Sequence, residues 1–236
     1  MPEDINGSIK MNNKESIQNT DAWLKSRIGK FCGSSIGDLM GKGRKKDELF
    51  SQTALTLIYK IASERDLRQA YLDDDYLWGI YQEQVSFSNK FTRFGHENED
   101  LAIETYEDVT GNKCTETGSI NHPTIPNYAA SPDRLTIING VSTICEVKCP
   151  KPETFIKYKQ LIKDNSSLLS VEPNYFYQMQ AEMHVSGCSQ ADFIAFCPFL
   201  KHPLHIVRIT ADEEVQKEIE YRISEAEKII YNILNK

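Results

Sequence analysis

Hydrophobic and polar positions change their spacing several times along this chain, and each change marks an element. Two runs rich in β-branched residues, 134–138 and 141–145, flank Asn139-Gly140, a dipeptide that favours a two-residue turn, so an antiparallel hairpin with fixed register is predicted. In that register Ile138 faces Val141, Ile137 faces Ser142 and Leu135 faces Ile144; counting outward sets Asp133 across from Glu146. Residues 97–110 have helical spacing and stop at Gly111, with Glu99, Ala102, Ile103, Tyr106 and Val109 on one face and Glu97, Glu104 and Asp108 on the other.

Pro152 starts a helix that runs to about Ile162, and Pro173 starts another that carries Gln178 and ends at Gly187. Apolar strands follow at 193–196 and 204–209. The stripe Val215, Ile219, Ile223, Ala226, Ile230, Ile233 gives the clearest helix, capped by Thr210 with Glu213. Upstream, 47–91 is mainly helical with a solvated break at Asp73-Asp74-Asp75, and a short helix is predicted over Ile36 to Met40. Together these elements predict an α/β fold with a central mixed sheet flanked by helices, in one domain over 19–236. Residues 1–18 are polar and Asn-rich and read as a mobile tail.

Composition narrows the class. A chain of 236 residues, 40% hydrophobic and 26% charged, holds enough apolar surface for one sizeable core. No apolar run reaches the roughly 18 residues that span a bilayer, and the first residues lack the apolar stretch of a signal peptide, so an intracellular protein with no membrane partner is expected. The six cysteines have no CxxC spacing, which points to reduced thiols rather than zinc or an iron–sulfur cluster. The five histidines are dispersed and read as structural or surface residues. A net charge of −7 looks unfavourable for nucleic acid, but local patches govern that affinity, and Lys42, Arg44, Lys45 and Lys46 form a flexible basic loop suited to a phosphate backbone. Gly41-Lys42-Gly43 lacks the strand context of a nucleotide-binding loop, and Ser131 lacks a nucleophile-elbow context.

The hairpin carries the candidate chemistry. Opposed residues hold their Cβ atoms about 4.5–5.5 Å apart, where two carboxylates repel unless a cation neutralises them. Asp133 and Glu146, with Lys148 on the same face, therefore form a candidate site for Mg²⁺, with Mn²⁺ as a substitute, because hard oxygen ligands suit these ions better than zinc. The alternative is a surface hairpin with both acids in water and Lys148 as an ion-pair partner. Glu99 is an acid on an apolar helix face, which makes it either a further ligand or the partner of a buried Lys or Arg.

Gly95-x-x-x-Glu99-x-x-Ala102-x-x-x-Tyr106, Thr110-Gly111, Ser131-Pro132-Asp133 and Glu146-Val147-Lys148-Cys149-Pro150 stand in the order and spacing of the PD-(D/E)XK nuclease superfamily. Within it the chain resembles the YqaJ-type viral recombinase exonucleases, whose best-known member is bacteriophage lambda exonuclease. The resemblance runs from Asp21-Ala22-Trp23 through Ser34 to Tyr177-Gln178-Met179-Gln180. It implies a restriction-endonuclease-like core in which Asp133, Glu146, Glu99 and the Val147 carbonyl hold the metal. Lys148 would orient the attacking water and Gln178, rather than Gln180, would position it. Arg27 and Ser34, with Ser35 before the short helix, would hold a 5′-terminal phosphate.

The implied activity is degradation of one strand of linear duplex DNA in the 5′-to-3′ direction, leaving 3′ single strands for recombination. The implied partners are double-stranded DNA ends, a single-strand annealing protein and a trimeric ring of the chain itself, inside a phage-infected or prophage-bearing bacterium. An endonuclease of the same superfamily, restriction or junction-resolving, and a catalytically silent DNA-binding protein of this fold are the competing readings.

Overall fold

In this computed structural model, which describes residues 18, 20–45, 47–85 and 90–236, the chain alternates helices with short strands. It begins with α1 (Asp21–Arg27), β1 (Phe31–Cys32), α2 (Gly33–Leu39), α3 (Gln52–Arg65), α4 (Ala70–Asp73), α5 (Asp75–Val85) and α6 (Lys90–Thr110). Then come β2 (Cys114–Glu116), β3 (Ile120–Asn121), β4 (Tyr128–Ala130), β5 (Arg134–Ile138) and β6 (Val141–Lys148). The chain ends with α7 (Pro152–Leu161), α8 (Asn165–Val171), α9 (Pro173–Ser186), β7 (Gln190–Phe196), β8 (Leu204–Thr210) and α10 (Glu213–Leu234). The predicted tail (apart from residue 18), Lys46 and the side chain of His96 lie outside the described residues.

The hairpin forms as the Asn-Gly pair requires. Asn139 and Gly140 both take positive φ, +51° and +81°, and the register is Ile138↔Val141, Ile137↔Ser142, Leu135↔Ile144 and Arg134↔Cys145. β5 and β6 sit inside a five-stranded sheet of order β2-β5-β6-β7-β8, in which only the β6–β7 pair is parallel. The mixed central sheet is thus as predicted, and its α/β surroundings match the expected restriction-endonuclease-like core. A second sheet, β1-β4-β3, was not legible in the sequence because its strands are two or three residues long.

α9 lies between these layers. It sends Phe176, Met179 and Met183 into a core with β5–β8, α7 and α8, and Ala181 and Val185 into a second core with α2, α3, β4 and α10. A helix buried on several sides has little polar surface to spare, and each fully buried Phe or Met contributes roughly 1.5–3 kcal/mol. α2 packs so closely on α9 that a Cβ at Gly37 would stand 2.8 Å from the Asn174 Cα. On the other sheet face, Ala102, Ile103 and Tyr106 of α6 pack on Cys145, Val147, Ile194 and Phe196.

Several predictions of boundary and packing need correction. α2 begins at Gly33 rather than Ile36, so Ser34 and Ser35 lie in its first turn rather than ahead of it. The packed stripe of α6 ends at Tyr106, and Val109 is 68% exposed. The cap of α10 is Asp212, whose carboxylate accepts from the Glu214 and Val215 amides at 3.1 Å, because Thr210 is taken up in pairing β8 with β7. Ile233 is part-exposed at the end of that stripe. The basic loop is not flexible at its base: buried Arg222 donates to the Leu39, Gly41 and Leu49 carbonyls at 3.0–3.2 Å, and the Gly43 amide donates to Glu48 O. Asp74 caps α5 through the Leu77 amide and Asp75 pairs with Lys25, as expected of a solvated break. None of the described helices is long and apolar enough to cross a membrane.

Candidate active site

Glu146 stands near the C-terminal end of β6, 1% exposed, where its strand partner in β7 is Phe193. That face of the sheet meets α9, and the i, i+4 spacing of Gln178 and Glu182 brings both onto it. The Gln178 side-chain amide donates to Glu146 Oε1 at 2.5 Å and to Glu182 Oε1 at 2.9 Å, so one amide spans two carboxylates. Lys148, two residues beyond Glu146 and hence on the same face, donates to Glu146 Oε1 at 2.6 Å and to Gln178 Oε1 at 3.4 Å. Its ammonium also lies 4.7 Å from the centre of the Tyr175 ring.

Asp133 reaches the same place from the far side of the hairpin. It sits one residue before β5, and its Oδ2 accepts from the Val147 amide at 2.8 Å. Burial, followed by the charges of Glu146 and Glu99, raises its carboxyl well above the usual range, against the opposing pull of Lys148. Glu182 is raised in the same way, by burial and then by the Glu146 charge. Burial alone would lower Lys148, but the charges of Glu146 and Asp133 outweigh it and hold the ammonium protonated. Asp133, Glu146 and Glu182 therefore form one electrostatic unit with a single lysine inside it.

Burying three carboxylates around one ammonium leaves an excess of negative charge. Two oxygens, Glu146 Oε2 and Glu182 Oε2, are buried without a hydrogen-bond partner. Orphaned carboxylate oxygens in a dry site cost several kcal/mol, and a hard divalent cation is the species whose ligand preference they meet. The donor chemistry of these residues, carboxylate oxygens two of which lack a partner, fits such an ion. Glu182 is the participant that the sequence reading missed; its signal was a lone acid one helical turn after Gln178, inside the apolar run Met179, Ala181, Met183, Val185. Gln180, on another face of α9, donates to Thr210 O and accepts from the Asp212 amide.

Glu99 realises part of its alternative reading. Its Oε1 accepts from Arg134 Nη1 at 3.0 Å, and Arg134 also holds Asp100 at 2.7 Å. The Glu99 charge nevertheless acts on Asp133 and on Cys149, whose thiol is pushed up to about 12 chiefly by burial. Glu99 thus flanks the acidic centre while tied to a guanidinium. Val147 is fixed there by its amide.

A second cluster adjoins the first. Arg27 Nη2 donates to Ser34 Oγ at 2.8 Å, and Nη1 to Ser131 Oγ at 3.3 Å. Trp23 donates its indole N–H to the same Ser131 hydroxyl at 3.1 Å, and its ring lies 4.1 Å beneath the guanidinium. Trp23, Arg27 and Ser34 border a cavity of about 300 Å³ with Lys60, Glu64 and Tyr81 on its wall. Ser35 is turned inward, donating to Cys32 O at 3.0 Å. The two clusters are joined covalently by Ser131-Pro132-Asp133 and by contact, since a Cβ at Gly33 would lie 3.5 Å from Glu182 Cγ. Ser131, just after β4, was not foreseen as a partner of Arg27, because it meets α1 only in the folded chain; Trp23, four residues before Arg27 on α1, is a local neighbour whose helical spacing went unused. Lys42, Arg44 and Lys45 are exposed, with Lys45 paired to Glu48 at 3.3 Å.

A family model described as the YqaJ-like viral recombinase domain matches residues 22–189. Among solved structures, the chain is similar to an alkaline exonuclease, LHK-Exo, from Laribacter hongkongensis, with 25% identity over 91% of this chain and 96% of that one and a TM-score of 0.69. The same enzyme in complex with dAMP gives 26% identity, the same coverage and a TM-score of 0.70. A phage-related exonuclease from Haemophilus somnus 129PT shares 17% identity over 87% of this chain and 95% of that one, with a TM-score of 0.64, a likeness of fold alone. No curated protein matches the chain.

Proposed function

The chain belongs to the YqaJ-like viral recombinase family, and from that premise we propose that it is a Mg²⁺-dependent deoxyribonuclease degrading one strand of linear duplex DNA from a 5′-phosphorylated end. The observation that carries this reading is the convergence of Asp133, Glu146 and Glu182 on Lys148 and Gln178, with two carboxylate oxygens left unpaired in a buried site. Asp133, Glu146 and Glu182 would hold the ion, with the Val147 carbonyl and Glu99 beside them. Bound there, Mg²⁺, or Mn²⁺ in its place, supplies an acidified water and offsets charge on the phosphodiester.

The protein's own groups do the rest. Lys148 offers a fixed ammonium to the phosphoryl oxygen that gains charge, and its place between Glu146 and Gln178 is set before substrate arrives. Gln178, whose two amide protons are held by Glu146 and Glu182, would align the attacking water through its carbonyl oxygen. Arg27, with the Ser34 and Ser131 hydroxyls, grips the terminal phosphate and favours ends that carry it. Because Ser131 is two residues from Asp133, a gripped end sets the first phosphodiester before the acids. The binding of dAMP by LHK-Exo supports a mononucleotide product. The proposal extends to release of 3′ single strands for recombination, a trimeric ring around DNA, a single-strand annealing partner and a place inside a phage-infected or prophage-bearing bacterium, as in the resemblance described above. Lys42, Arg44, Lys45 and Lys46 would track the duplex backbone.

The test incubates the protein with linear duplex bearing or lacking 5′-phosphate, and with closed circles, in Mg²⁺ or EDTA. Mg²⁺-dependent loss of phosphorylated linear DNA is expected. Cutting of circles would replace this reading with an endonuclease, and binding without hydrolysis would replace it with a silent DNA-binding protein.

A further inference from the structure

The sequence gives no reason to connect His122, His184 and Glu220, which lie after β3, on α9 and on α10. The fold brings them together. His122 Nε2 and His184 Nε2 are 3.3 Å apart, His184 Nε2 is 3.0 Å from Glu220 Oε1, and all three donor atoms fall within 4.8 Å of one another. Ligand atoms on a tetrahedral ion with bonds near 2.0–2.1 Å stand about 3.3 Å apart, so the two spacings through His184 already match a coordination shell and the third group lies within reach of one.

The protons do not fit the cluster without an ion. His122 Nδ1 accepts from the Ile125 amide at 3.0 Å and the Thr124 amide at 3.3 Å, so in the neutral ring the proton sits on Nε2 and is aimed at His184 Nε2. His184 Nε2 must then be a bare lone pair, yet it also faces the Glu220 carboxylate, which calls for a proton there. Placing the proton on His184 Nε2 instead sets two N–H groups against each other and leaves Nδ1, buried and without a partner, as a lone pair. Neither tautomer satisfies every contact.

We infer that His122, His184 and Glu220 form a second metal site, distinct from the acidic centre, for a zinc-class transition ion. Two imidazoles and one carboxylate are ligands for such an ion and poor ones for Mg²⁺. Glu220 is 46% exposed, which leaves a fourth position to water. Binding shifts the His122 proton to Nδ1 and gives up the Thr124 and Ile125 amide bonds; residue 124 is exposed and 125 half-buried, so water takes those amides over. The rings are already ordered, with His122 stacked on Tyr128 at 5.4 Å. The ion would brace α9, the helix that presents Gln178 and Glu182 to the acidic centre, from its outer side.

Titration of the full chain with Co²⁺, in Mg²⁺ excess to fill the acidic centre, tests the proposal. One equivalent with the visible absorption of tetrahedral Co²⁺ is expected. Glu220→Ala, at a half-exposed position, should weaken it at least ~10-fold, and His122→Phe, which keeps a ring over Tyr128, should abolish it. Zn²⁺ at about 100 times its Kd should raise Tm by about 5–10 °C, and the shift should persist in Glu146→Gln and vanish in His122→Phe. A titration without tetrahedral Co²⁺, a signal that survives both substitutions, or a Zn²⁺ shift lost in Glu146→Gln would overturn it.

Discussion

Glu146 and Asp192 are buried carboxylates on adjacent strands of one sheet, 1% and 2% exposed, and they have opposite surroundings. Asp192 pairs in register with Cys145, so it lies on the sheet face opposite Glu146. There Oδ2 accepts from the Tyr106 hydroxyl at 2.7 Å and Oδ1 from Arg208 at 2.5 Å; every oxygen is used. Glu146 shares Oε1 between Lys148 and Gln178 and leaves Oε2 with nothing. Burial alone does not mark a functional acid. What separates the two is whether neighbouring side chains complete the carboxylate or leave room for something else.

The sharpest way to break this contrast is to neutralise each acid in turn. Glu146→Gln should lower the single-turnover hydrolysis rate by at least ~10³-fold while leaving metal-free stability equal or higher, because it removes an uncompensated charge. Asp192→Asn should leave hydrolysis nearly intact and lower stability by about 2–3 kcal/mol, the worth of hydrogen bonds to a charged group. Urea melts and quenched-flow rates on both proteins check the pair; similar phenotypes would erase the distinction. Arg27→Ala comes next, with a loss of ~10–100-fold on 5′-phosphorylated ends compared with unphosphorylated ones. An equal loss on both end types would count against a phosphate pocket.

Glu182 extends the comparison to an acid that only the fold recruits. Glu182→Gln should weaken Mg²⁺ binding by ~10–100-fold, read by calorimetry in the absence of DNA; unchanged affinity would reduce Glu182 to a partner of Gln178. The smallest effect is on pH. Asp133 and Glu182 are raised above their ordinary values of 3.8 and 4.5, so in the metal-free protein the folded state binds more protons than the unfolded one above those values. Stability in EDTA should therefore fall as pH rises from about 4 through the raised values, and Mg²⁺ should restore it by binding the deprotonated acids. Thermal melts at stepped pH would show this, and a rise in EDTA across that window would contradict the shared burial of the acids.

The elements that repeat a local rule were legible. Asn139-Gly140 set the hairpin and its register, Pro173 and Gly187 bounded α9, and Ser131-Pro132-Asp133 with Glu146-Val147-Lys148 placed the acids and the lysine on one motif. The errors are equally local. Thr210 looked like a helix cap but belongs to β8, and the glycine-flanked basic loop looked free until Arg222, some 170 to 180 positions away in sequence, tied its base.

The chain by itself determined the longer strands and helices and the register of the hairpin, whose ladder runs out to Arg134 and Cys145 and so brings Asp133 and Glu146, the next residues along, to one end of it, because turn chemistry and side-chain period act over a few residues. Only the tertiary structure decided that Glu182 joins them, that Ser131 meets Arg27, that Glu99 is tied to Arg134, and that His122 meets His184 and Glu220. Those meetings depend on how α1, α6, α9 and α10 settle against the sheets. That settling is driven by burial of apolar faces, which fixes polar neighbours across distances in sequence that no local pattern encodes.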